Sequence, residues 1–91
     1  METACLVADS GAARSRILID DDEAVIRFAI GESLRDCGVE VIEAATADEA
    51  WDYLLSGAPV DAVFTDHRMP GSMSGAQLAR RIADRFPNLP V

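Results

Sequence analysis

The chain has 91 residues, 49% of them hydrophobic, and 16 acidic against 8 basic side chains give it a net charge of -8. That length allows one domain with a modest core, because a chain this short buries only about two-thirds of the surface it exposes unfolded. The acidic balance argues against nucleic acid or an anionic membrane as a partner of this segment, and no apolar run is long enough to span a bilayer.

The predicted elements begin after a leader. Residues 1–15, with Glu2 and Asp9, no basic start and no long apolar stretch, do not resemble a signal peptide and read as a flexible N-terminal leader. Cys5 and Cys37 make no secreted disulfide framework, and a reduced cytoplasmic setting is the simpler expectation. The apolar run Arg16-Ile17-Leu18-Ile19 predicts a first strand that ends in Asp20-Asp21-Asp22. A helix is predicted from Glu23 to about Cys37, where Val25, Ile26, Ala29, Ile30 and Leu34 recur at helical spacing and Gly38 supplies the stop.

Val39 to Ala44 reads as the second strand. Thr46 and Glu49 form a capping box that opens a second helix reaching about Ser56, closed by Gly57 and Pro59. Asp61 to Thr65 is the third strand, followed by Asp66 and a glycine-containing loop through Ser74. Ser74 and Gln77 repeat the box-like start for a third helix that runs to Phe86 before Pro87. Asn88-Leu89-Pro90-Val91 reads as the beginning of a fourth strand.

Alternating strand and helix is the pattern of a parallel sheet covered on both faces, and right-handed crossovers point strands one and three the same way. Both aspartate-bearing ends then share one edge, and with order 2-1-3 the ligand position lies between them. Adjacent carboxylates without lysine repel one another and call for a cation, and at least one should titrate upward without it. Thr65 precedes Asp66 in the strand, so alternation should turn it away from the pocket. A bland reading applies to His67 as loop surface, to Trp51 and Tyr53 as packing aromatics, and to Arg80, Arg81 and Arg85 as a solvated helix face.

Ile17-Leu18-Ile19-Asp20-Asp21-Asp22-Glu23, then some 45 residues, then Asp66-x-x-Met69-Pro70 and Gly75 resemble the receiver domain of bacterial two-component response regulators. The resemblance covers residues 16–91 and implies an α/β, flavodoxin-like, doubly wound parallel sheet, here incomplete, with strand order 2-1-3 and a strand-4 stub. It implies Asp66 as phosphoacceptor, and Mg²⁺ held by Asp20, Asp21, Asp66 and the main-chain carbonyl of Arg68. The donor would be a sensor histidine kinase or phosphotransfer protein, and the chain a signalling module rather than an enzyme.

The family also uses a threonine or serine ending strand four and a lysine ending strand five, and neither position has a counterpart in these residues. Magnesium binding and phosphoryl acceptance are therefore expected, and switching is not. A receiver-like scaffold that never takes phosphate is the alternative. A haloacid-dehalogenase-like phosphatase, suggested by Asp20-x-Asp22, is a lesser one, since Ala24 stands where that pattern wants threonine. The edge of strand three, with Ala62, Val63 and Phe64, is expected to be exposed and to favour self-association.

Overall fold

The structure, a computed structural model, describes residues 15–66 and 73–91. Strands and helices alternate as β1 (Arg16–Asp20), α1 (Ala24–Asp36), β2 (Glu40–Ala44), α2 (Ala47–Leu55), β3 (Ala62–Thr65) and α3 (Gly75–Arg85). The strands form one parallel sheet in the order β2-β1-β3. In the central strand Leu18 and Ile19 are successive residues on opposite faces, and both are fully buried. That double burial is why β1 reads as an unbroken apolar run rather than an alternating one.

The main core lies on the face covered by α2 and α3. Leu18 and Val63 meet Ala47, Ala50 and Leu54 of α2 and Leu78 and Ile82 of α3 there. Helix α3 presents Leu78 and Ile82 at i, i+4 to the core and keeps Arg80, Arg81, Asp84 and Arg85 outside. It starts with a full capping box: the Ser74 hydroxyl accepts from Gln77 N at 3.1 Å, and Ser74 N donates to the Gln77 side chain at 2.9 Å. At α2 the Thr46 hydroxyl accepts from Glu49 N at 3.1 Å, but Glu49 reaches one residue further back, to Ala45 N at 2.8 Å. Gly38 and Gly57, at φ 84° and 87°, close α1 and α2 in the left-handed region that side-chain-bearing residues avoid.

Helix α1 departs from expectation. Only Gly31 is buried in it, while Val25 is 81% and Phe28 58% exposed. On the α1 side of the sheet Phe64, the register partner of Ile19, is also half exposed. The apolar stripe expected along α1 is thus only partly covered by the described residues. Elsewhere the aromatic readings hold: Trp51 and Phe86 pack edge to face at 6.0 Å, with Arg81 lying over Trp51 and Arg85 over Phe86.

A smaller correction concerns the edge of the sheet. Along β3, Val63 is buried and its N–H is paired, donating to Pro90 O at 2.9 Å, so of the three residues expected to be exposed only Phe64 is. The same hydrogen bond is what the described residues show of the expected fourth-strand stub.

Candidate functional site

The parallel register places Asp20 beside Thr65, the last residues of β1 and β3. Main-chain hydrogen bonds extend this order one residue past the strands. Asp66 N donates to Asp20 O and Asp21 N to Ala44 O, both at 3.1 Å. Asp21 and Asp66 are therefore held at the same carboxyl edge by backbone, before any side-chain interaction is considered.

Period two then sorts the acids. Asp20 and Thr65 point to one side, and the next residues, Asp21 and Asp66, point elsewhere. Carboxylate oxygens of Asp21, Asp22 and Asp66 all lie within 4.8 Å of one another, with Asp21 buried, Asp66 half-buried and Asp22 exposed. Three carboxylates so close together offer only hard oxygen donors, the set that suits Mg²⁺ or Ca²⁺ rather than a soft metal. The Asp21 carboxylate is fixed further by accepting from Glu23 N at 2.9 Å.

Asp20, next to Asp21 in the chain, is fully buried. One of its oxygens accepts from the Thr65 hydroxyl at 3.4 Å, and the other, Oδ1, is buried without a hydrogen-bond partner. Burial pushes its carboxyl up to about 6; the Thr65 hydroxyl opposes that rise, and the charges of Asp21 and Glu49 add to it. The expected upward titration is present, but desolvation drives it more than repulsion does. An orphaned buried carboxylate oxygen next to a carboxylate trio fits a hydrated cation, whose water or charge would satisfy it.

Among the sequence-predicted residues, Asp21 and Asp66 come together, whereas the carboxylate of Asp20, fully buried, is not one of the three that meet. Arg68, along with His67, Met69 and Pro70, falls outside the described residues. Asp22 is the member of the trio that sequence reasoning passed over, although the acidic triplet itself was the signal. Thr65, expected to face away from the pocket, donates its hydroxyl to Asp20, one of the acids expected there. The phosphatase-like pairing of Asp20 with Asp22 is not favoured here, because one is buried and the other exposed.

This arrangement, on a parallel 2-1-3 sheet, defines a receiver-type acidic site at a strand edge. The sequence profile of the response regulator receiver domain matches residues 17–91, and the chain belongs to that family. Chemotaxis protein CheY1 of Helicobacter pylori is 33% identical over 79 residues, covering 84% of this chain and 63% of CheY1. The phosphate regulon transcriptional regulatory protein PhoB of Pseudomonas aeruginosa is 41% identical over 66 residues, covering 72% of this chain and 28% of PhoB.

Among solved structures, a response regulator receiver protein from Sinorhizobium medicae superposes with a TM-score of 0.79 at 35% identity, covering 85% of this chain and 62% of that one. The response regulator TrrA from Thermotoga maritima, determined in complex with Mg²⁺ and BeF, gives 0.76 at 36% identity, covering 80% and 62%. The chain thus spans a little over three-fifths of the length of the CheY1 relative.

Proposed function

We propose that this chain accepts a phosphoryl group on Asp66 from a phosphohistidine of a sensor kinase or phosphotransfer protein, with Mg²⁺ as cofactor. The observation that carries this reading is the meeting of Asp21, Asp22 and Asp66 at one strand edge, together with the orphaned Oδ1 of Asp20. Asp21, Asp22 and Asp66 would hold the ion, with the buried Asp20 acting largely through water and the Arg68 carbonyl as a further ligand. When bound, the ion supplies neutralisation of phosphoryl oxygens and fixes the in-line approach.

The chain's own residues do the rest. Asp66, held at the edge by its N–H on Asp20 O, presents a carboxylate oxygen as nucleophile. Its bond to phosphorus forms as the donor's phosphorus–nitrogen bond breaks, and the electron pair stays on the departing imidazole nitrogen. Asp21 is kept in place by Ala44 O and Glu23 N. The product is a modified form of the chain itself, so the activity is acceptance rather than turnover. A cytoplasmic setting and self-association along β3 belong to the same reading.

The test is incubation with acetyl phosphate and Mg²⁺, followed by intact-mass measurement. The expected result is a hydroxylamine-sensitive gain of one phosphoryl group on the parent chain and none on Asp66→Asn. No gain on the parent would leave the chain a receiver-like scaffold, and gain on the variant would move the site elsewhere.

A further inference from the structure

Past the end of β1, Asp21 has a carbonyl that no strand partner can reach. It is not left open. Arg27, one turn into α1, donates from Nη1 to Asp21 O at 2.7 Å. The same guanidinium donates from Nε to Glu43 Oε1 at 3.0 Å. Glu43 neighbours Ala44, whose own carbonyl takes the Asp21 N–H. Both main-chain polar groups of Asp21 therefore trace back to adjacent residues of β2, one directly and one through Arg27.

This bracket is itself held. Glu43 Oε2 accepts from Arg35 Nη2 at 3.0 Å, and Arg35 Nη1 donates to Glu32 at 3.2 Å. The Arg27 side chain is only 18% exposed, so its two acceptors leave it little freedom. A planar guanidinium can serve two acceptors in fixed directions at once, which a single ammonium cannot do with the same geometry. Gly31 makes room for the arrangement: a Cβ there would meet Arg35 Nη1 at 3.2 Å and Glu43 Oε2 at 3.6 Å.

We propose that Arg27, seated on Glu43, is a positioning residue for the cation site, locking the Asp21 backbone so that its carboxylate faces Asp66. This rests on the reading of that cluster as a Mg²⁺ site. It runs against simple electrostatics, and that makes it sharp. A positive charge near a cation site weakens cation binding by Coulomb repulsion, so deleting Arg27 for its charge alone should tighten Mg²⁺. If Arg27 acts through position, deleting it loosens Mg²⁺ instead. Loss of groups that orient metal ligands commonly costs roughly 10–100-fold in affinity.

The experiment titrates Mg²⁺ by calorimetry into the parent chain, Arg27→Gln, Arg27→Lys, Arg35→Gln and Asp66→Asn, with melting temperatures measured in parallel. Arg27→Gln is expected to weaken Mg²⁺ about tenfold or more. Arg27→Lys, which keeps the charge but not the fork, is expected to weaken it as well. Arg35→Gln removes the other arginine from Glu43 while leaving the Asp21 carbonyl bonded, and is expected to lower the melting temperature with affinity retained. Unchanged or tighter binding in Arg27→Gln overturns the proposal, as does an equal loss in Arg35→Gln. If Arg27→Gln does not fold by circular dichroism, Arg27→Lys decides by the same criterion. A parent chain that binds no Mg²⁺ refutes the site reading itself, whereas a binding parent with an indifferent Arg27→Gln refutes only the role of Arg27.

Discussion

Asp20→Asn, studied without divalent cations, isolates the cost of holding a buried carboxylate at the end of β1. Burial raises the Asp20 carboxyl from its ordinary 3.8 to about 6. The folded chain therefore binds this proton more tightly than the unfolded chain. Its contribution is fully present below about pH 3.8 and is lost as pH rises through about 6. The gap corresponds to about 3 kcal/mol, a large share of the roughly 5–15 kcal/mol that holds a typical domain. Asparagine keeps an acceptor for the Thr65 hydroxyl and has no charge to desolvate.

Urea unfolding of parent and variant from pH 4 to pH 8 in EDTA measures the effect. The stability of Asp20→Asn relative to the parent is expected to rise by about 2.4 kcal/mol across that range, nearly all of it between pH 4 and 7. The difference between the two proteins is the useful quantity, because other carboxylates slope the opposite way. Glu43, lowered chiefly by its hydrogen bond from Arg35, contributes stability that is lost as pH falls. A difference that stays constant with pH would refute the reasoning, since the buried carboxylate would then carry no penalty.

Two further predictions concern the frame. Ser74→Ala removes the hydroxyl that accepts from Gln77 N at the start of α3 and is expected to cost about 1 kcal/mol in denaturant unfolding. Gly31→Ala gains helix propensity inside α1, and the nearest atom to the new Cβ is the end of the partly exposed Arg35 side chain, which can give way. The expected net effect is a stabilisation of about 0.5–1 kcal/mol by the same measurement, and a loss would show that the Arg35–Glu43 pair cannot move.

The elements were legible in the sequence where local chemistry dictates them. The two capping residues Thr46 and Ser74, the stops at Gly38 and Gly57, and the fully apolar β1 all act within a few residues of themselves. The site edge was legible for the same reason, because two strands ending in acid become one address once parallel order 2-1-3 is accepted. What did not show was depth. Nothing in the text of an acidic triplet says that Asp20 is fully buried while Asp22 joins Asp21 and Asp66. That division comes from register and alternation across β1 and β3, forty-odd residues apart. Along α1, helical spacing reports which face is apolar, not whether another element covers it. Arg27 escaped notice because its acceptors are a carbonyl and a glutamate on different elements, and no spacing rule links them.

The pairing of Asp20 with Thr65 also bears on how the strands find each other. Sliding β3 by one residue along β1 in one direction would set Asp66 in place of Thr65 beside a fully buried carboxylate. Two acids would then share a dry position. Sliding the other way would put Phe64 there and turn Val63 out of the core, because a one-residue shift reverses every side chain. Both misalignments are penalised, one by charge and one by lost apolar burial. The acids at the strand ends thus also disfavour one of the two misaligned registers of the sheet.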